Sequence, residues 1–174
     1  MKISERFIIS GISGVGKDFT LEQIRDSNEL LFEEINAGRF IASAFKRYRE
    51  KTREESISVA FRKIGEKISN QEGTALNCHM VYGLYPELFS NQDRLIKIPH
   101  DKIIVVEKDP EIILHQRQGD VKRTRPAQTI DEIHNMQKIS TEIARRVSEE
   151  SNAKIKIFSP ENETVAEVID FLKY

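Results

Sequence analysis

Gly11-Ile12-Ser13-Gly14-Val15-Gly16-Lys17-Asp18 follows the apolar triplet Phe7-Ile8-Ile9 and precedes Phe19, Leu21 and Ile24, which recur at helical spacing. A strand, a glycine-rich turn and a helix in that order are the setting of a phosphate-binding loop, or P-loop. Glycine at 11, 14 and 16 lets successive backbone N–H groups curl inward around phosphate oxygens, because it tolerates the dihedrals and adds no side chain. Lys17 would reach over the outer phosphates, and the start of the following helix adds a partial positive charge. The spacing GxxxxGK is complete, so Gly11, Ser13, Gly14, Val15, Gly16, Lys17, Asp18 and Phe19 are the expected nucleotide-phosphate site. The position after the lysine, ordinarily a Ser or Thr whose hydroxyl meets Mg²⁺, holds Asp18.

Outward from this loop, the composition sets bounds. A chain of 174 residues is the size of one domain and can bury a core without disulfides or a structural metal. The 27 basic and 28 acidic residues nearly cancel, so no global field argues for nucleic acid or an anionic membrane. No surface of interleaved aromatic and basic residues suggests stacking on single strands. The single cysteine, Cys78, excludes an internal disulfide and fits a reducing compartment, and the four histidines lack zinc-type spacing. The longest aliphatic run, Ile103 to Val106, is far below the ~20 residues of a membrane-spanning helix. No signal-peptide core follows Arg6, and the expected location is the cytoplasm.

Strand and helix signals alternate along the chain, which argues for crossover units and an α/β class. After a first helix over about 17 to 28, Leu30 to Ile35 reads as a second strand, with a turn at Asn36-Ala37-Gly38. Phe40, Ile41, Ala44, Phe45 and Tyr48, then Ile57, Ala60, Phe61, Ile64 and Ile68, predict two helices whose aromatics belong to the core. Ala75 to Cys78 and Ile103 to Glu107 are a third and a fourth strand. Pro110 opens a helix ending near Gly119, a long amphipathic helix covers about 130 to 149, and Lys154 to Phe158 is a fifth strand. A last helix runs from Asn162 to Leu172. In an open sheet of this kind the ligand lies beyond the carboxyl ends of the strands, so segments 10–18, 36–39, 77–83, 107–109 and 158–160 should line one crevice.

Between two helices lies Arg117-Gln118-Gly119-Asp120-Val121-Lys122-Arg123-Thr124-Arg125-Pro126. Such a loop is either a solvated basic turn or an anion-binding lid. As a lid, its planar guanidinium forks would hold phosphoryl oxygens and offset charge developing during transfer.

With these residues in view, the chain resembles archaeal-type adenylate kinases, which are P-loop nucleoside monophosphate kinases, almost end to end. That family follows its P-loop with a strand ending Asp-Thr-His, a glycine-bearing loop with Tyr-Leu-Pro, a strand reading Ile-Ile-Val-Val-Glu, and an arginine-rich lid. The counterparts here are Asn77-Cys78-His79, Gly83-Leu84-Tyr85-Pro86, Ile103 to Glu107, and Arg117 with Asp120, Arg123 and Arg125. The resemblance implies a P-loop NTPase-type three-layer α/β/α fold, with a five-stranded parallel sheet and a short basic lid. One domain would span 1–174, with an acceptor-binding insert at about 36–70 and the lid at about 117–127. It further implies transfer of the γ-phosphoryl of ATP, with Mg²⁺, to a nucleoside monophosphate.

Lys17, Arg117, Arg123 and Arg125 would then carry catalysis, while Gly38, Arg39, Arg53, Arg62 and His79 would bind the acceptor. Ser159 and Pro160 match the place where the family's backbone meets the donor base. Asp18 and Asn77 depart from the pattern, since Asn77 stands where the family has its acidic strand-end residue. Either the carboxylate has moved to Asp18, which then binds Mg²⁺, or Asp18 serves the helix start electrostatically. Thr20 would supply a hydroxyl ligand if the helix began late. Two other functions stay open: a P-loop kinase for a different small molecule, and an ATP-binding regulatory protein without turnover. Oligomeric state is left open.

Overall fold

The computed structural model describes residues 5–119 and 127–174. In chain order its elements are β1 (Phe7–Ser10), α1 (Lys17–Asp26), β2 (Glu33–Asn36), α2 (Ala37–Arg47), α3 (Arg53–Ser69), β3 (Thr74–Asn77), β4 (Val81–Leu84) and β5 (Glu87–Ser90). They continue with α4 (Gln92–Leu95), β6 (Lys102–Val106), α5 (Pro110–Gly119), α6 (Ile130–Ser151), β7 (Lys154–Phe158) and α7 (Val165–Lys173). The main sheet has five parallel strands in the order β2-β3-β1-β6-β7, and β4 and β5 form a separate antiparallel pair.

Successive side chains of a strand point to opposite faces, and both faces of this sheet are covered. Ile8 of β1 and Ile103 and Val105 of β6 join a core with α2, α3, and Ile143, Ala144 and Val147 of α6. Phe7 and Ile9, with Ile104 and Val106, join a second core with Leu21 and Ile24 of α1, Ile113 of α5, and Val168, Ile169 and Leu172 of α7. The layers are therefore helix, sheet, helix. The registers Ile9↔Asn77 and Ser10↔Val105 bring the carboxyl ends of β3, β1 and β6 level. The loop after β1 thus starts from the middle of the sheet, where the strand order reverses.

Helix starts follow local chemistry. Thr52 and Glu55 form a reciprocal capping box at α3, and Thr129 and Glu132 form another at α6. Several details differ from the sequence expectations, among them β2, which runs over Glu33–Asn36 and not from Leu30. Asn36 does not open a turn: it ends β2 and caps α2, its side-chain oxygen accepting from the Arg39 N–H at 3.3 Å, so strand passes directly into helix. Phe45 is not core but 37% exposed, whereas Phe61 is buried and Phe40 and Tyr48 pack partly covered. The β4–β5 hairpin and α4 occupy a stretch to which the sequence assigned no element, apart from the loop at Gly83 to Pro86; the hairpin turns through a cis Tyr85–Pro86 bond.

Candidate functional site

The loop from Gly11 to Gly16 is shaped by close packing under its first glycine. Gly11 has φ +146°, and a Cβ there would stand 2.5 Å from the Val106 carbonyl oxygen and 2.9 Å from Val15 Cγ1. Only glycine lets the chain turn this tightly against β6. Gly16, at φ +102°, precedes the first residue of α1, and Thr20 N–H closes the first helical turn on the Gly16 carbonyl at 3.0 Å. The amides of Lys17, Asp18 and Phe19 come before that bond and have no partner within the helix, which makes this end a donor for anions.

Lys17 is 7% exposed and lies along its own loop, Nζ donating to the Gly11 and Ile12 carbonyls at 3.0 and 3.2 Å. His79 Nδ1 stands 2.7 Å from the Gly11 carbonyl. A carbonyl oxygen only accepts, so Nδ1 carries the proton, and Lys17 Nζ at 3.3 Å is a neighbour to that ring nitrogen, not its donor. Lysine, histidine and the first loop carbonyl therefore form one polar knot at the ends of β1 and β3.

Arg117, at the end of α5, is 9% exposed and grips the loop from outside. Its Nε and Nη2 both donate to the Ser13 carbonyl, at 2.9 and 2.6 Å, and Nη1 bonds the Gln128 side chain. The fork thus ties the P-loop to the segment just before α6. Arg123 and Arg125 lie outside the described residues.

Asp18 and Asn77, the two departures from the family pattern, touch. Asn77 Nδ2 donates to Asp18 Oδ1 at 2.6 Å and reaches Glu34 Oε1 at 3.2 Å. Glu34 in turn pairs with Arg25 at 3.2 Å. Among the described residues no three His, Cys, Asp or Glu side chains converge as a ready-made metal cage. Asp18 is an exposed hard oxygen donor on the wall of the P-loop cavity, which fits Mg²⁺, a cation that keeps most of its waters and takes one or two carboxylates plus phosphate oxygens. Thr20 is no alternative ligand: α1 begins at Lys17, and the buried Thr20 hydroxyl donates to the Gly16 carbonyl at 3.2 Å.

A cavity of about 560 Å³ joins these parts. One wall is Ser13, Gly14, Gly16, Lys17, Asp18 and Phe19; the other is Asn36, Ala37 and Gly38 with Asn77, Cys78, His79 and Tyr82. Arg39 is exposed in the first turn of α2. Arg53 lines an adjoining pocket of about 220 Å³ with Ile57, Tyr82, Phe89 and Arg94, and Tyr82 is common to both. Arg62 faces a different cavity, with Phe61, Asp93 and Lys97. Segments 107–109 and 158–160 do not line the main cavity; the Ser159 N–H donates to Glu163 at 2.9 Å. Cys78 is fully covered, and burial pushes its thiol up to about 12. Burial likewise pushes the Tyr82 hydroxyl upward.

Two residues at the site carry no sequence signal of their own. Glu34 reaches it only because β2 lies beside β3, in the register Asn36↔Asn77. Lys108, just after β6, places its ammonium 3.5 Å from where a Cβ of Gly16 would stand.

No family model matches the chain. It is 28% identical over 168 residues to an adenylate kinase of Thermoplasma acidophilum, covering 90% of both chains. It is 27% identical over 169 residues to an adenylate kinase of Thermoplasma volcanium, covering 90% of this chain and 91% of the relative. Among solved structures, a shikimate kinase from Bacteroides thetaiotaomicron superposes with a TM-score of 0.56 at 17% identity, over 98% of this chain and 99% of that one. The fold is thus a P-loop α/β fold, and the resemblance to adenylate kinases extends over nine tenths of the chain.

Proposed function

We propose that this protein is an ATP-dependent phosphotransferase that moves the γ-phosphoryl group to a nucleoside monophosphate. One observation carries the reading: a single cavity has a phosphate-binding loop on one wall and, on the facing wall, the start of α2 and the end of β3, where an acceptor would sit. The likeness to two adenylate kinases supports it.

In this reading the donor phosphates accept from the amides at the start of α1, and Lys17 exchanges the Gly11 and Ile12 carbonyls for phosphate oxygens. The acceptor's own phosphate oxygen attacks the γ-phosphorus in line, while the bond to the β–γ bridging oxygen breaks and its electron pair leaves with ADP. That oxygen is already anionic at neutral pH, so the chain needs no residue to remove a proton. Catalysis is then placement plus compensation of charge on the transferring group. Arg117 holds the loop in shape through Ser13 and brings its positive charge to the donor side, where Arg123 and Arg125 would complete a lid. Gly38 and His79 line the acceptor side of the cavity, Arg39 is the next residue along α2 after Gly38, and Arg53 with Tyr82 offers a guanidinium and a ring for its nucleoside. Asp18 would hold Mg²⁺, which would supply positive charge to offset that of the donor phosphates.

The test is a coupled assay with ATP and Mg²⁺ across AMP, CMP, UMP and GMP, their deoxy forms, and a non-nucleotide alcohol such as shikimate. Turnover of at least one monophosphate, lost by orders of magnitude in Lys17→Ala, is the expected result. Turnover of the alcohol alone would move the reading to another small-molecule kinase, and ATP binding without turnover would move it to a regulatory protein.

A further inference from the structure

We infer that Lys108 is a second phosphate-binding lysine of the donor site, holding a triphosphate from the side of the P-loop opposite His79; this rests on the P-loop reading above. Three observations converge. First, its ammonium sits beside Gly16, the residue that precedes α1, 3.5 Å from where a Cβ there would stand. Second, its backbone is fixed from both sides by one buried glutamine: Gln137 Oε1 accepts from the Lys108 N–H at 3.0 Å, and Gln137 Nε2 donates to the Lys108 carbonyl at 2.8 Å. A side chain leaving a clamped peptide next to a rigid strand end has few places to put its charge. Third, among the described residues the Lys108 ammonium makes no hydrogen bond or ion pair, although the chain is rich in carboxylates.

A cation held without a counter-charge at the donor end of a helix meets its own repulsion with that end unless an anion lies between them. Lys17 and His79 occupy the Gly11 side of the loop, and Lys108 the Gly16 side. A nucleoside triphosphate seated on the α1 amides would therefore meet an ammonium on each flank. Nothing in GxxxxGK predicts the second one, because it comes from a strand end about 90 residues later in the chain.

Calorimetric binding of a nonhydrolysable ATP analogue and of inorganic tripolyphosphate to the intact protein tests this, with Lys108→Met, Lys108→Arg and Lys17→Met as variants. Lys108→Met is expected to weaken both ligands about ten-fold, the size of one hydrogen bond to a charged group, with Lys108→Arg keeping most of the affinity. The thermal midpoint of Lys108→Met without ligand should be no lower than that of the unaltered chain, since the side chain holds no partner and its charge faces the positive end of α1. If the unaltered chain binds neither ligand, the P-loop reading itself falls, and this inference with it. If it binds both and Lys17→Met weakens them while Lys108→Met does not, only the role of Lys108 is overturned.

Discussion

Replacing Gly11 with alanine should be the most damaging single-methyl change in the P-loop, and the reason can be separated into two parts by comparing it with Gly16. Both glycines have positive φ, +146° and +102°, so an alanine at either stores about 1–3 kcal/mol of backbone strain. At Gly16 the added carbon meets only the end of the flexible Lys108 chain, at 3.5 Å, an ordinary contact. At Gly11 it would stand 2.5 Å from the Val106 carbonyl oxygen, which cannot retreat because β6 is hydrogen-bonded to β1 on one side and β7 on the other. Forcing a methyl into packed surroundings costs a further ~1–3 kcal/mol. Gly11→Ala is therefore expected to lose about 4 kcal/mol, Gly16→Ala about 1.5 kcal/mol. Gly119→Ala, where nothing lies within 4 Å, should be neutral or gain up to about 1 kcal/mol from helix propensity. Equilibrium urea unfolding of the three variants measures the series. Against a total stability of about 5–15 kcal/mol the first loss is large enough to resolve. A Gly11→Ala variant no less stable than Gly16→Ala would refute the claim that the loop is seated on the Val106 carbonyl.

Four further outcomes are expected. Cys78, buried and with its thiol pushed up to about 12, should resist Ellman's reagent in the native protein at pH 8 and react fully once unfolded; rapid native labelling would contradict its burial. His100 is held below its usual 6.5 chiefly by desolvation. The unfolded chain then takes up its proton first as pH falls, so stability from His100 is intact above pH 6.5 and lost below it, a slope that His100→Asn should flatten in unfolding curves at several pH values. Arg117→Ala removes two donors from the Ser13 carbonyl and should cost about 2–3 kcal/mol in urea unfolding, with Arg117→Lys recovering only part. Asn77→Asp alone should set a third carboxylate against Asp18 and Glu34 and cost roughly 1–2 kcal/mol, whereas Asp18→Thr with Asn77→Asp leaves only the contact with Glu34 and should recover part of the loss in stability and in calorimetric Mg²⁺–nucleotide binding; additive effects would show the pair is uncoupled.

Much of the fold was legible because parallel strands covered on both faces are written as continuous aliphatic runs. Phe7-Ile8-Ile9 and Ile103 to Val106 declare themselves in this way, and the helices between them keep apolar spacing. The β4–β5 hairpin was not legible: its strands are four residues each, half-exposed, and carry a glycine and a serine where an aliphatic would mark them. β2 was displaced toward Leu30 for the opposite reason. Its two leading glutamates look like a strand's end, yet Leu31 is 59% exposed and the ladder with β3 runs from Glu33 to Asn36. At the site, the phosphate loop is one contiguous motif and reads as such. Glu34, Lys108 and the grip of Arg117 on Ser13 arise from strand order and a helix end far away in sequence, and no local pattern encodes them.

The contact between Asp18 and Asn77 changes how their substitutions are weighed. Two positions 59 residues apart that depart separately from a family's pattern would suggest a site losing its function; here they meet at 2.6 Å as donor and acceptor. An aspartate at 77 would face the Asp18 carboxylate at that distance, and like charges so close cannot both stay ionised without a cation between them. The amide removes that conflict and keeps one carboxylate exposed on the cavity wall. It also leaves Asn77 able to hold Glu34, whose other oxygen is engaged by Arg25. The two changes are thus better understood as one rearrangement of charge than as two losses. It is the whole group of Asp18, Asn77, Glu34 and Arg25, not the residue after the lysine alone, that sets the charge at the start of α1.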